Sequence, residues 1–225
     1  FLASQAKWDQ LLSYYPIFKE KMPRDLQRDV SEFVALAAFN ARKWDILTDV
    51  LKYAPKSSIQ CTILAAMNCI HNQNYDKVDD YINHGFEILA SKPLGFWTGG
   101  HRVHSETMIS CQELMEIREI MRYMKGENRR EIKEVWKQRL ITAPPDFSLW
   151  FQILGLKIPL GIDLSDILFK FFVLRSTTLD VTLHRNVFNS IFPEFSNNEL
   201  ESKPNTDISN FCNSTVLMMT NHKQE

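Results

Sequence analysis

The chain has 225 residues, of which 44% are hydrophobic and 24% charged, an ordinary composition for a globular protein that buries a core. Its net charge of −1 provides no global field toward nucleic acid or a membrane surface, so we expect no nucleic acid as a partner and any membrane association only through a larger complex. No apolar run reaches the ~18 residues of a transmembrane helix. The four cysteines form no C-x-x-C pair, which argues against a zinc site or a disulfide framework and favours a reducing, cytoplasmic setting.

A short motif, an aromatic residue followed by Asp, recurs in the first third of the chain. Its copies are Trp8-Asp9, Trp44-Asp45 and, more loosely, Tyr75-Asp76. They are spaced by about 30–40 residues, which is the length of one helix–turn–helix repeat. A unit of this size cannot bury its apolar face alone, so the spacing predicts stacked helical hairpins.

Apolar periodicity predicts helices in chain order over 24–40, 43–53, 57–71, 75–90, 102–124 and 128–141, with weaker patterns over 147–157, 163–175 and 179–191. On the first of these helices Leu26, Val30, Phe33 and Ala37 are predicted to form the buried face. Pro55 is expected to end the second helix, and Asn74 to cap the fourth. The few glycines and prolines favour this helical architecture over a turn-rich β fold.

The predicted fold is therefore all-α, built from antiparallel helical hairpins as a TPR-like α-solenoid over residues 1–192. Residues 193–225 are rich in Asn, Ser, Thr and Lys without a sustained apolar period, and we expect them to form a disordered tail. In each repeat the aromatic ring is predicted to pack between paired helices. The Asp carboxylate is expected in the first turn of the helix, where the helix dipole stabilises a negative charge. The motif is thus interpreted as structural.

No residue constellation predicts catalysis or a metal site. His101 and His104 share one helix face and Glu106 follows in the sequence, but no third ligand arrives at a matching interval, so we expect no metal. The glycines are scattered, which excludes a phosphate-binding loop, and no cysteine or serine lies in a nucleophile signature. The sequence accordingly predicts no catalytic residues in this chain.

Segment 125–139 carries more basic than acidic residues, with Arg129, Lys133 and Lys137 on one helix face. One interpretation is a solvated face laced with ion pairs between residues four apart. The other is an anion site, because Lys and Arg side chains suit phosphate oxygens.

Later blocks carry a family resemblance. They are Met108-Ile109-Ser110-Cys111 with Leu114 and Glu116, Arg129-Arg130-Glu131-Ile132, Trp136 with Arg139-Leu140, and Trp150 with Ile153-Leu154. In this order they resemble the FAT domain of the phosphatidylinositol-3-kinase-related kinases, most of all the TOR (target of rapamycin) group. The resemblance is clearest over residues 30–160.

The resemblance implies a C-shaped helical clamp around a serine/threonine kinase domain that lies outside this chain and uses ATP and Mg²⁺. The implied partners are that kinase domain, neighbouring helical repeats and TOR-complex subunits. FAT domains of the TOR type also hold inositol hexakisphosphate in a Lys/Arg pocket. By its matching position Arg139 is the candidate ligand, and Lys133, Lys137 and Arg175 are added from charge alone.

Two other classes of function stay open from the residues themselves. A free-standing TPR-like adaptor would bind a peptide or a partner helix on its concave face. A small enzyme is the least favoured class, because no residues support it.

Overall fold

The computed structural model describes residues 7–91, 101–142 and 154–164, and for 101–106 and 140–142 it describes the backbone alone. Every regular element in these ranges is helical, which confirms the all-α prediction. Most of the predicted helices 147–157 and 163–175, all of 179–191, Arg175 and the predicted tail 193–225 lie outside the described residues.

Eight α-helices have their bounds within the described ranges. They are α1 (Trp8–Leu12), α2 (Tyr15–Glu20), α3 (Arg24–Asn40), α4 (Trp44–Val50), α5 (Ile59–His71), α6 (Val78–Ser91), α7 (His101–Met124) and α8 (Arg129–Thr142). A 3-10 turn at Tyr75–Lys77 leads directly into α6, and another lies at Ile158–Leu160.

Helix α4 ends earlier than the predicted range 43–53. After Val50 the backbone N–H groups of residues 52, 53 and 54 donate to carbonyls three residues back, at 3.2, 3.0 and 3.3 Å. The chain therefore tightens into 3-10 geometry before Pro55, because the residue preceding a proline disfavours the α conformation. Ser58 then caps α5, with its hydroxyl accepting from the backbone N–H of Cys61 at 3.1 Å.

The turns before the second and third aromatic–Asp motifs share one backbone conformation. Arg42 and Gln73 adopt left-handed φ values of 56° and 57°. At each turn the next residue, Lys43 or Asn74, donates its backbone N–H to the carbonyl five residues earlier, at 2.8 and 2.9 Å. These are Schellman helix ends, and they place an aromatic residue at the start of the following element each time.

The predicted side-chain cap at Asn74 is wrong, since the Asn74 side chain makes no capping hydrogen bond. The residue at this position instead repeats one backbone geometry. Its φ and ψ are −89° and 64° at Lys7, −91° and 72° at Lys43, and −90° and 68° at Asn74. The backbone conformation therefore defines the start of each of these three elements, with no need for a capping side chain.

The buried face of α3 also differs from the predicted one. Leu26 and Phe33 are 47% and 55% exposed, whereas Val34 and Ala35 are buried. Small residues on this second face let α1, α4 and α5 approach the helix closely. Close backbone approach here buries more of the neighbouring helices than the larger side chains on the opposite face could.

The remaining helices bury the predicted apolar stripes for the most part. Buried side chains include Ile63, Met67 and Ile70 on α5, Val78, Ile82 and Leu89 on α6, Leu114, Ile117 and Met121 on α7, and Ile132 and Trp136 on α8. Met108 is an exception, being 65% exposed. Consecutive helices pack together, and α1, α3, α5 and α7 also pack in that order.

Candidate functional site

A buried carboxylate on α7 lies at the centre of a polar cluster. The side chain of Glu116 is 1% exposed, and it accepts hydrogen bonds from Gln112 Nε2 at 2.9 Å and Lys157 Nζ at 2.5 Å. The guanidinium of Arg139 bonds its other side. Three donors from α7, α8 and segment 154–164 therefore satisfy one carboxylate that would be costly to bury alone.

One turn further along α7, Glu119 binds the same guanidinium through both of its oxygens. Arg139 Nη1 and Nη2 donate to Glu119 at 2.9 and 2.8 Å, and Trp136 Nε1 donates at 2.7 Å. Burial alone would raise the pKa of Glu119, but the Arg139 hydrogen bonds and charge outweigh it and the pKa is lowered. This fork-on-fork geometry fixes α8 against α7.

The ammonium of Lys157 is also buried, with its side chain 1% exposed. It lies 4.7 Å from the centroid of the Trp136 ring, within the range of a cation–π contact. Burial lowers the pKa of Lys157, and the adjacent Glu116 carboxylate opposes that shift. We call Glu116, Glu119, Trp136, Arg139 and Lys157 the α7–α8 ion network.

The α7–α8 ion network pins segment 154–164 to the helices. Leu154 and Leu156 precede the lysine in the sequence and are themselves buried. At its 3-10 turn the carbonyl of Ile158 accepts from Arg42 Nη2 at 3.3 Å, which links the same segment to the turn between α3 and α4. A stretch distant in sequence thus closes over two parts of the helical array.

The predicted anion-binding residues do not converge in the described residues. Arg139 is occupied by Glu119 and Glu116, and Lys133 Nζ pairs with Asp163 at 3.3 Å. Lys137 is half-buried on α8. Arg139 lies about 120° around the helix from Lys133, so the two cations point to different surroundings.

The aromatic residues of the repeat motif lie against neighbouring helices. Trp8 is buried. The Trp44 ring stacks on His71 at 4.0 Å between centroids and meets Phe39 edge-on at 5.7 Å. The Tyr75 ring is half-buried, with Lys125 Nζ at 5.2 Å from its centroid. Asp9, Asp45 and Asp76 are exposed in the first turns of their elements.

A second buried carboxylate on α7 lies outside the α7–α8 ion network. Glu113 is 6% exposed, and burial raises its pKa to about 7. Among the described residues no hydrogen bond or ion pair to its side chain is present. Its charge state therefore depends on pH near neutrality, unlike those of the paired carboxylates.

Sequence reasoning missed both the pairing of Glu116 with Lys157 and the burial of Glu113. A usable signal was present, because Glu113, Glu116 and Glu119 alternate with the apolar stripe that begins at Leu114. Carboxylates at such positions require buried partners or protonation. No sequence rule assigned Lys157 as that partner.

Neither a metal-binding cluster nor a membrane-spanning helix is found among the described residues. Among the described side chains no three His, Cys, Asp or Glu residues cluster closely enough to hold a metal ion. The side chains of His101, His104 and Glu106 are not among those described. No helix in the described part of the chain combines the length and apolarity needed to cross a bilayer.

Comparison with known proteins assigns the family. No curated protein matches the chain. The sequence model of the FAT domain matches residues 31–157, more than half of the chain, running from α3 to the buried lysine of the α7–α8 ion network. The chain therefore belongs to the FAT domain family of the phosphatidylinositol-3-kinase-related kinases.

Proposed function

We propose that this chain is part of the regulatory FAT region of a TOR-like serine/threonine kinase, in which it clamps and restrains a kinase domain encoded outside these residues. The FAT match over residues 31–157 carries the proposal. The TOR assignment is supported by the Met108–Cys111, Arg129–Ile132 and Trp136–Leu140 blocks. Chemistry in the parent protein would use ATP and Mg²⁺ bound by that kinase domain.

The packing order supports a clamp made of stacked, TPR-like hairpins. Each helix contacts its successor, and α1, α3, α5 and α7 form a second row of contacts. The repeated Schellman turns give successive units the same entry geometry. A stiff array of this kind can bias an adjacent two-state element, which is how a scaffold regulates access to an active site.

Partners and location follow from the same proposal. Neighbouring helical repeats, the kinase domain and TOR-complex subunits would contact this region in the cytoplasm. The near-zero net charge provides no field for nucleic acid.

The assignment is tested on the native protein. An antibody against residues 31–157 should precipitate a polypeptide that also contains a kinase domain and phosphorylates serine or threonine in an ATP-dependent manner. A precipitated protein without a kinase domain would refute the proposal. If that protein is also monomeric and unfolds cooperatively, a free-standing adaptor is favoured.

The restraining role needs a separate measurement in the same parent protein. Lys157→Met breaks the α7–α8 ion network, whereas Lys133→Met breaks an ion pair whose two side chains are 35% and 71% exposed. We expect only the first substitution to change the basal rate of substrate phosphorylation. Equal rates for the two variants would contradict restraint through this network.

We also propose an inositol-polyphosphate site, with Arg139 as the candidate ligand and Lys133, Lys137 and Arg175 as its neighbours. Because Glu119 already occupies the Arg139 fork, a bound phosphate would have to compete with a bidentate carboxylate. Inositol hexakisphosphate should raise the melting temperature of the chain, and Lys137→Ala and Arg139→Ala should each reduce that shift. Unchanged shifts in both variants would remove these residues from the site.

A further inference from the structure

A groove with a volume of about 510 Å³ lies over one face of α5. The C-terminal end of α4 and the turn after it form one side, and α6 forms the other. Its lining residues are Thr48, Leu51, Lys52, Ala54, Pro55, Lys56, Cys61, Thr62, Ala65, Asn68, Cys69, Tyr81 and His84. This volume falls within the usual range of about 300–1,000 Å³ for binding clefts.

The floor of the groove is neutral and built from short side chains. Cys61, Ala65 and Cys69 follow one another along one face of α5, with Cys61 buried and the other two half-buried, and burial raises the pKa of both thiols, which keeps them uncharged. The short side chains leave room for a ligand side chain close to the helix backbone. An apolar ligand side chain placed here would be removed from water, which is favourable.

A buried amide lies in the same lining. Asn68 is 9% exposed; its Nδ2 donates to Thr48 Oγ1 at 3.0 Å, and its Oδ1 lies 3.3 Å from the same hydroxyl. A primary amide has two donors and a carbonyl acceptor, so the contact with Thr48 leaves hydrogen-bonding capacity for another polar group. A peptide backbone can use such a donor and acceptor together.

The charges at the rim all have one sign. Lys52 and Lys56 are the fully charged lining residues, His84 is the third basic one, and no Asp or Glu is among the described residues that line the groove. Lys52 Nζ forms an ion pair with Asp49 Oδ1 at 3.1 Å, whereas no ion pair to Lys56 is present within the described ranges. His84 Nε2 lies 3.0 Å from the Lys56 carbonyl, which ties α6 to the turn after α4.

We propose that this groove binds a short acidic peptide segment. One small apolar side chain of the peptide lies on the floor at Ala65, its backbone pairs with the amide of Asn68, and its carboxylates face Lys56 and Lys52. The uniform basic rim selects acidic over basic sequences, and the limited volume selects a short segment over a large folded surface. This activity is independent of the kinase to which the FAT region belongs.

A random peptide library tests the proposal without a known ligand. The full 225-residue chain is compared with its Ala65→Leu variant. The larger side chain fills the floor of the groove, and Leu has nearly the same helix propensity as Ala. We expect the wild type, and not the filled variant, to enrich peptides with Asp or Glu beside a small apolar residue. Enrichment of the same sequences by both proteins, of basic or neutral sequences, or of none, would overturn the proposal.

The charge requirement is then measured with one enriched peptide by fluorescence anisotropy. Lys56→Glu should weaken binding about fivefold or more, because it replaces an attraction by a repulsion. Arg130→Glu is the matched control, as it makes the same charge change on α8, which does not line the groove. Equal weakening by both variants would show only long-range attraction and would contradict a site at Lys56. Melting curves for all variants confirm that each is folded.

Discussion

Removing the buried ammonium of Lys157 is the sharpest perturbation of this fold. In Lys157→Met the apolar stem is nearly preserved, but Glu116 loses the donor at 2.5 Å while remaining buried. Arg139 and Gln112 still bond the carboxylate. The substitution therefore leaves a buried charge short of a countercharge, without opening a large cavity.

The magnitude follows from the burial of both partners. Removing one member of a buried ion pair costs about 3–5 kcal/mol, whereas an exposed pair contributes about 0–1 kcal/mol. Because Arg139 still faces Glu116, we expect the lower end of the first range, about 3 kcal/mol of the free energy of unfolding. Lys133→Met, which removes an exposed partner of Asp163, should cost less than about 0.5 kcal/mol.

A double-mutant cycle separates the ion pair from simple packing. Glu116→Leu with Lys157→Met replaces both charges by apolar groups, which is often neutral or stabilising for a buried pair. We expect the double variant to be more stable than either single variant, with a coupling energy of at least about 2 kcal/mol. Urea unfolding followed by tryptophan fluorescence reports on the site, because Trp136 lies 4.7 Å from the ammonium.

Two results would refute this physical account. One is a cost for Lys157→Met no larger than that for Lys133→Met. The other is a coupling energy below about 0.5 kcal/mol, which is within the scatter of independent sites. Either would mean that segment 154–164 is not held by the α7–α8 ion network.

Three further substitutions test separate features of the structure. Glu113 has a pKa raised from 4.5 to about 7, so the folded chain keeps this proton to higher pH than the unfolded chain does. Its stabilising effect is full below about pH 4.5 and is lost as pH rises through 7, so in urea titrations wild type should lose about 3 kcal/mol relative to Glu113→Gln between these limits. Gln73→Gly, at a left-handed φ of 57°, should raise the free energy of unfolding by about 0.5–1 kcal/mol, while Gln73→Ala should not. Asp49 accepts from Tyr15 at 2.6 Å and from Lys19 and Lys52, contacts that lower its pKa. Asp49→Asn should cost about 1–2 kcal/mol at neutral pH in thermal or urea unfolding, and the difference should shrink as pH falls below about 4, since the unfolded chain then protonates Asp49 whereas the folded chain, in which its pKa is lowered, keeps it ionised.

Local periodicity was sufficient for most of the helices. The stripe Ile63–Met67–Ile70 and the cap at Ser58 are neighbours along the chain, so α5 follows from short-range rules. The aromatic–Asp spacing likewise located three element starts at Trp8, Trp44 and Tyr75. The stripe and the cap depend on residues within one or two turns of each other, and the motif on a spacing that can be read directly from the sequence.

The errors arise where a distant segment decides the outcome. The apolar stripe of Leu26 and Phe33 on α3 is more hydrophobic than the buried face, yet small residues such as Ala35 pack against the neighbouring helices. Composition on one helix cannot reveal which face its neighbours approach. The pairing of Glu116 with Lys157 is similarly invisible, because it spans a long stretch of chain without a periodic signal.

The family match ends at Lys157, one of the two residues of this buried ion pair. Residues 31–157 run from α3 to Lys157, and it is Lys157 that completes the countercharge of Glu116. Without this residue α7 would hold a fully buried carboxylate with Arg139 as its one cationic partner in the described residues, and Arg139 is already shared with Glu119. The segment that closes over α7 and α8 therefore belongs to the same cooperative unit as the helices it covers. The clamp that we propose would rely on such a unit, because it would transmit strain from one end to the other through contacts that open together.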